Sequence, residues 1–192
     1  MAEEILRITQ FGNRVLRNKS IKLSIDEIKS PKIQRLITDL KNTLKNKKLG
    51  VGLAAPQVGK GLSLSVIVVQ PTKHRPKVEP LELVIINPKI LKTFGYRTQL
   101  WEGCISSGDG SAGLFAKVPR YKKVQIEFLD ERARKHRKIF EGLPAHVIQH
   151  EIDHLNGVLF VDRVKDTSTY MTMKEYKKMV SNKERESSAK KI

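Results

Sequence analysis

Residues 149–155 read Gln149-His150-Glu151-Ile152-Asp153-His154-Leu155 and contain the pattern His-Glu-x-x-His. They end a stretch whose hydrophobic pattern predicts a helix from about Leu143 to Leu155, which Gly157 terminates. Side chains four residues apart lie on the same face of a helix, so both histidines can bind one metal ion. Glu151 lies beside His150, where it can contact a water molecule on that ion. The stretch therefore predicts a metal centre on a helix, against the alternative of two ordinary surface histidines.

A hydrolytic centre of this kind needs a third protein ligand, and the sequence offers two candidates. Glu175 follows His154 at about the spacing of a thermolysin-type protease, but it lies in a lysine-rich segment typical of a solvated helix surface. Cys104 is the single cysteine of the chain, and a thiolate binds zinc or ferrous iron well. His146 would lie about 12 Å along the helix from His154, so it is expected at a pocket wall or the surface. From these residues alone, the choice between Cys104 and Glu175 stays open.

Three separated segments resemble motifs of the peptide deformylase family, and they occur in the family's order. The segments are Gly50-Val51-Gly52-Leu53-Ala54-Ala55-Pro56-Gln57, Glu102-Gly103-Cys104-Ile105-Ser106 and Gln149-His150-Glu151-Ile152-Asp153-His154. With weaker similarity on either side of them, the resemblance covers about residues 5 to 165. It implies an α+β fold, in which antiparallel or mixed β-sheets pack around a central helix that carries the His-Glu-x-x-His motif.

The resemblance implies one divalent metal ion held by Cys104, His150 and His154, with water in the fourth position. Fe2+ is the ion expected in the cell, while Zn2+, Ni2+ or Co2+ could occupy the same three ligands. A thiolate with two neutral imidazoles suits all four ions, so the sequence does not choose among them.

The family removes the formyl group from the N-terminal formyl-methionine of new polypeptides, which would be the substrate here. Glu151 would act as general base towards water. The side chain of Gln57 and the backbone N–H of Ile105 would stabilise the negative charge on the formyl oxygen. The predicted substrate-binding residues are Val51, Gly52 and Gly103, where the peptide would bind as an added β-strand.

Two features depart from the family. Residues 106–113 are longer by about four residues than the family's pattern and rich in glycine and serine, which leaves the substrate contacts between Ser107 and Ala116 undefined. His146 occupies a position that is usually apolar in the family's methionine pocket, so it is expected to alter affinity for the methionine side chain.

The remaining elements are predicted from periodicity and from turn residues. A helix is expected over 31–49, and a second one around 171–180. Strands are expected over 62–70, 83–90, 96–100 and 123–130, with 137–140 as a hairpin partner of the last. Residues 1–165 are predicted to form the catalytic domain. Residues 166–192 are predicted to form a basic C-terminal extension, partly helical and frayed beyond residue 181.

The chain has 192 residues, with 37 Lys and Arg against 20 Asp and Glu, and a net charge of +17. Such a charge favours polyanionic partners. The resemblance implies work on chains leaving the ribosome, so Lys174, Lys177, Lys178 and Lys183 could contact ribosomal RNA. A soluble basic surface without that partner is the alternative. The longest apolar run is too short for a membrane helix, so no membrane partner is expected. The N-terminal sequence and the single cysteine favour the cytoplasm.

Two other functions stay open. One is a metallopeptidase that uses Glu175 as its third ligand. The other is a deformylase-like protein without catalysis, which the positive charge recruits to the ribosome.

Overall fold

A computed structural model describes residues 4–47, 50–72, 76, 78–108 and 112–189 of the chain. The α-helices are α1 (Ile25–Lys29), α2 (Pro31–Lys45), α3 (Leu143–Leu155) and α4 (Met173–Ala189). The β-strands are β1 (Gly52–Ala54), β2 (Leu64–Val69), β3 (Leu81–Gly103), β4 (Leu114–Leu129), β5 (Lys135–Glu141) and β6 (Met171–Thr172). Among the described residues, none of the helices combines the length and the apolar composition that crossing a membrane requires.

The strands form one antiparallel sheet in the order β1-β2-β3-β4-β5, and β6 pairs with the beginning of β4. β3 and β4 are paired from Ile86↔Leu129 to Gly103↔Phe115. The end of β3, which leads into Cys104, therefore lies beside the beginning of β4. This architecture is the α+β fold that the sequence predicts, and the sheet packs against the helix that carries His150 and His154.

Burial of β2 on both faces explains how the sheet is held between two helices. Every residue of this strand is buried. Successive side chains of a strand point to opposite faces of the sheet. The even-numbered apolar residues of β2 pack in one cluster with Leu40 of α2, whereas Ile67 and Val69 pack in another with Ile148 of α3. Hence α2 and α3 lie on opposite faces of the sheet.

Helix α3 has the bounds that the sequence predicts. Pro144 lies in its first turn, where the missing N–H leaves no hydrogen bond unmade. Gly157 follows the helix with a φ of 73°, and a Cβ at this position would overlap the carbonyl of Arg17. The glycine therefore lets the chain leave the helix while it packs against the N-terminal region.

β3 differs from the prediction of two short strands. It is one strand with register shifts against β4 between Ile86 and Lys89, Ile90 and Lys92, and Phe94 and Arg97. Asn87 (φ 51°) and Gly95 (φ 68°) take positive φ angles at the first and third of these shifts. Such bulges let pairing continue past Asn87-Pro88 and Gly95, residues that usually interrupt a strand.

The other elements differ in length from their predictions. α2 ends at Lys45 although the sequence predicts a helix to residue 49; residues 48 and 49 lie outside the described residues. β4 begins well before residue 123, and β2 and β5 lie within two residues of their predicted bounds. The segments 71–80 and 107–113 are described only in part.

The C-terminal segment contacts the sheet. β6 pairs with β4 through Leu114↔Thr172 and Phe115↔Met171. On α4, the ring of Tyr176 stacks on Phe115 with centroids 4.2 Å apart. The helix runs to residue 189, further than the sequence predicts. The domain boundary at residue 165 stays a prediction.

Candidate metal centre

The sulfur of Cys104 and one ring nitrogen each of His150 and His154 converge on one point. These ligand atoms all lie within 4.8 Å of one another. Sγ of Cys104 is 3.3 Å from Nε2 of His154, which is 3.1 Å from Nε2 of His150. Tetrahedral zinc bonds would separate neighbouring ligand atoms by roughly 3.3–3.6 Å. The donor set therefore fits a single divalent cation in both chemistry and spacing.

Different elements bring the three residues together. Cys104 directly follows β3, while His150 and His154 lie one turn apart on α3. Cys104 and His154 are buried. Glu175, the other candidate third ligand, lies exposed on α4 and pairs with Lys178 at 2.8 Å. Among the described residues, the ligand cluster includes Cys104 and not Glu175.

His150 is oriented by Glu102, two positions before Cys104. Nδ1 of His150 lies 2.5 Å from Oε1 of Glu102. Because a carboxylate only accepts hydrogen bonds, Nδ1 carries a hydrogen and donates it, so Nε2 is the nitrogen left to bind a cation once it carries no proton. Nε2 is the atom that faces His154. The hydrogen bond to Glu102 thus selects a tautomer of His150 that can bind a cation.

A buried guanidinium connects the strands to the helix. Nε and Nη2 of Arg120, on β4, donate to the two oxygens of Glu102 at 3.0 and 2.7 Å. Nη1 of the same side chain donates to Asp153 on α3 at 2.6 Å. Arg163 donates to Asp153 from the other side at 2.7 and 3.1 Å. One arginine therefore fixes the end of β3 relative to the helix that carries the two histidines.

These contacts set the charges around the centre. Burial would raise the pKa of Glu102, but the charge of His150 and hydrogen bonds from His146, His150 and Arg120 outweigh it and hold that pKa well below its usual value. Burial and the charge of His150 lower the pKa of His154 well below its usual value. Glu102 is therefore ionised, and His154 is a neutral imidazole suited to bind a metal.

Glu151 lies on α3 beside Gly52 of β1. Glu151 is 2% exposed, and its Oε2 makes no hydrogen bond within the described part of the chain. Burial raises the pKa of Glu151 to about 7, although the charge of His150 opposes that shift. A carboxyl group with a pKa near neutrality is suited to accept a proton and return it.

Gly52→Ala should damage this arrangement, because a Cβ at residue 52 would overlap the carboxyl group of Glu151. We expect kcat/KM for the substrate proposed below to fall by about 100-fold and the free energy of unfolding to fall by about 1–3 kcal/mol. Steady-state kinetics and urea titration measure the two effects. Gly61→Ala is the control, since its Cβ would meet Val15 at 4.0 Å, an ordinary contact. A Gly52→Ala protein as active as Gly61→Ala would contradict the expectation.

Gln57 and Ile105 lie next to the sulfur of Cys104. Oε1 of Gln57 accepts a hydrogen bond from the backbone N–H of Ala54 at 2.9 Å. Its Nε2 therefore faces the other way, 3.4 Å from Sγ of Cys104 and 3.2 Å from Oγ of Ser106. Ile105 directly follows Cys104, and its carbonyl accepts from Gln10 at 3.3 Å. The buried amide of Gln57 thus presents its donor group towards the centre.

The predicted substrate-binding residues lie in two places. Gly52 begins β1, and Val51, which precedes it, accepts a hydrogen bond from the backbone of Val68 at 3.0 Å. Gly103 ends β3, where a Cβ would lie 2.5 Å from the ring of Phe115. At both glycines a neighbouring side chain takes the place that a Cβ would fill.

No sequence motif indicated a role for Arg120 or Asp153, or the contact between His146 and Glu102. Arg120 and Asp153 could have been noticed as charged residues within stretches whose pattern of apolar residues predicts burial. Asp153 lies on the buried part of α3, and Arg120 lies at a buried position of β4. His146 is largely buried, and its Nε2 lies 2.8 Å from Oε2 of Glu102.

The chain is similar to known proteins along most of its length. It matches the sequence profile of the family described as polypeptide deformylase over residues 5–170. Peptide deformylase 2 of Nostoc sp. is 36% identical over 187 residues, which cover 94% of this chain and 98% of that protein. The peptide deformylase of Aquifex aeolicus is 36% identical over 176 residues, covering 92% of this chain and 97% of that protein.

Solved structures give the same result. The Met-Ala-Ser-bound class I type b peptide deformylase from Acinetobacter baumannii has a TM-score of 0.78 at 29% identity, covering 85% of this chain and 100% of that one. A peptide deformylase from Synechococcus elongatus in complex with actinonin has a TM-score of 0.72 at 37% identity, covering 91% of this chain and 88% of that one. The resemblance predicted from the three sequence motifs is confirmed. The chain belongs to the peptide deformylase family.

Proposed function

We propose that this chain is a metal-dependent hydrolase that removes the formyl group from formyl-methionine at the N-terminus of newly made polypeptides and releases formate. The observation that carries the proposal is the convergence of Cys104, His150 and His154, together with the buried carboxyl group of Glu151, the residue that follows His150 on α3. A buried carboxyl oxygen without a hydrogen bond lowers stability, so its occurrence next to a candidate ligand favours a catalytic function. Membership of the family agrees with this activity.

In the proposed reaction, Cys104, His150 and His154 would hold a divalent cation, which when bound would lower the pKa of water and stabilise negative charge on a carbonyl oxygen. Glu151 accepts a proton from the attacking water, and the water oxygen bonds to the formyl carbon. Nε2 of Gln57 and the backbone N–H of Ile105 donate hydrogen bonds to the formyl oxygen as it becomes negative. Glu151 then gives its proton to the leaving amine while the C–N bond breaks. The products are formate and a free N-terminal amine.

The substrate would bind along β1. This strand is the first of the sheet order, and it pairs with β2 on one side only among the described residues. An extended peptide can therefore add to its other edge through backbone hydrogen bonds to Gly52, with Val51 beside it as a further predicted contact. Gly103, at the end of β3, would contact the substrate beside Cys104.

The ion in the cell is proposed to be Fe2+, with Zn2+, Ni2+ and Co2+ able to use the same residues. One thiolate and two imidazoles support this range, since all four ions accept mixed sulfur and nitrogen ligands. Metal analysis of protein purified without oxygen would identify the ion. The cytoplasm is the proposed location, because formylated nascent chains are made there and a reducing compartment preserves the thiolate of Cys104.

The two alternative functions are less favoured. A metallopeptidase with Glu175 as ligand would need that residue at the centre, whereas it lies exposed on α4. A binding protein without catalysis would gain no stability from the buried Glu151.

A formate-release assay tests the function. The metal-loaded protein is mixed with formyl-Met-Ala-Ser under anaerobic conditions, and formate is measured over time. We expect multiple turnovers per protein. A sample that holds one metal ion per chain and releases no formate would make the non-catalytic protein the better conclusion.

A contact with ribosomal RNA is proposed for α4. Lys174, Lys177 and Lys178 are exposed on this helix, and the chain carries a net charge of +17. Lys183, also considered from the sequence, lies where side chains are not described. Cationic side chains on one helix favour binding to phosphates.

Changing Lys174 and Lys177 together to Glu is expected to weaken ribosome binding and to flatten its dependence on salt concentration, because fewer counterions are released. Co-sedimentation at several salt concentrations measures both effects. Formate release from the tripeptide should stay unchanged. Changing Lys89 and Lys92 of β3 to Glu alters the net charge equally and is the control. Equal weakening by both pairs would contradict a specific role for α4.

A further inference from the structure

His146 has no part in the mechanism above, yet it contacts the carboxylate that orients a proposed metal ligand. It lies one helical turn before His150 on α3. Its side chain is 13% exposed, and that of Glu102 is 4% exposed. Nε2 of His146 lies 2.8 Å from Oε2 of Glu102. Since a carboxylate only accepts, this Nε2 carries a hydrogen and donates it.

From the described part of the chain, the two oxygens of Glu102 receive four hydrogen bonds. Oε1 accepts from Nη2 of Arg120 and from Nδ1 of His150, and Oε2 accepts from Nε of Arg120 and from Nε2 of His146. A carboxylate has about four lone-pair sites, so all of them are used. Arg120 and His146 thus donate three hydrogen bonds that hold the carboxylate, and the fourth hydrogen bond, from Nδ1 of His150, fixes the ring of that histidine.

On the basis of the metal centre proposed above, we propose that His146 is a positioning residue for the metal. Its Nε2–H holds Oε2 of Glu102, so that Oε1 stays aligned with Nδ1 of His150 and keeps Nε2 of His150 directed at the cation. Residues that orient metal ligands through hydrogen bonds typically change metal affinity by about 10–100-fold when replaced. His146 contacts Glu102 and does not contact the metal ligand itself, so we expect a change in metal affinity at the lower end of this range.

Three variants separate the hydrogen bond from the packing of the ring. His146→Leu removes the donor and keeps an apolar side chain. The amide nitrogen of Gln is as many bonds from Cα as Nε2 of histidine, so His146→Gln can restore the contact with Glu102. The amide nitrogen of Asn stands where Nδ1 stands, so His146→Asn cannot reach Oε2. Comparison of His146→Gln with His146→Asn tests the role of the hydrogen bond even if His146→Leu does not fold.

The readout is the affinity for Co2+, measured on Co2+-loaded protein in competition with a chelator and without substrate. We expect His146→Leu and His146→Asn to bind Co2+ about tenfold more weakly than the wild type, and His146→Gln to remain within about threefold. The visible spectrum of the bound Co2+ should change in the first two variants and return towards the wild type in the third.

His136→Leu is the matched control. Nε2 of His136 lies 2.8 Å from Oδ2 of Asp130 on a different part of the sheet, so this pair resembles His146 and Glu102 in chemistry. We expect its loss to lower the melting temperature and to leave Co2+ affinity unchanged. Co2+ affinity within twofold of the wild type in the Leu and Asn variants would overturn the role of His146, as would equal losses in the Gln and Asn variants. A wild-type protein that binds no Co2+ would overturn the metal centre itself.

Discussion

Glu151→Gln is expected to bind metal as tightly as the wild type and to release formate at least about 10²- to 10⁴-fold more slowly. Gln has nearly the same shape as Glu but cannot take a proton from water or return it to the amine. Glu151 is buried, and its pKa is raised to about 7, as expected of a group that exchanges protons. The two measurements are metal content and the rate of formate release from formyl-Met-Ala-Ser.

Glu175→Gln provides the matched control, since it makes the same chemical change on an exposed helix. Its carboxylate pairs only with Lys178 among the described residues. We expect wild-type rates and wild-type metal content in this variant. If Glu151→Gln retained more than about a tenth of the wild-type rate, Glu151 would not be the general base.

Cys104→Ser is expected to lower both metal content and activity. A hydroxyl group stays protonated at neutral pH and binds Zn2+ or Fe2+ far more weakly than a thiolate. Since replacing groups that merely orient a ligand changes affinity by about 10–100-fold, loss of a direct ligand should exceed 100-fold. The dissociation constant for Zn2+, obtained by competition with a chelator, is the measurement.

The same variant separates the two candidate third ligands. With Cys104 as ligand, Cys104→Ser loses the metal and Glu175→Gln keeps it; with Glu175 as ligand, the outcomes are exchanged. Circular dichroism of both proteins shows whether the fold is preserved. Retention of one tightly bound ion in a folded Cys104→Ser protein would contradict the proposed centre.

The parts of the fold that could be predicted from the sequence are those in which local signals agree with packing. α3 has a proline in its first turn, a continuous buried face and a glycine at its end, so its bounds follow from the sequence. β3 could not be predicted as one strand, because Asn87 and Gly95 are typical of strand ends. Its continuity depends on pairing with β4, a contact between distant residues that periodicity does not reveal.

In the candidate site, too, the features that follow from a local motif could be predicted, whereas contacts between distant residues could not. Cys104, His150 and His154 carry chemistry that a motif indicates, and the structure brings their ligand atoms within 4.8 Å of one another. The contact of His146 with Glu102 joins residues on different elements, and a position along α3 does not indicate whether a histidine reaches a strand end. The motifs therefore indicate the candidate ligands better than the residues that hold them, and the catalytic roles stay a prediction.

The guanidinium of Arg120 has a consequence for metal exchange. Its hydrogen bonds to Glu102 and Asp153 join the end of β3 to α3, the helix that carries His150 and His154. Both contacts are between protein groups. We therefore expect these contacts to keep the ligand geometry in place while the ion is exchanged. Different divalent ions should therefore replace one another in the folded enzyme by dialysis alone, with no refolding step between them.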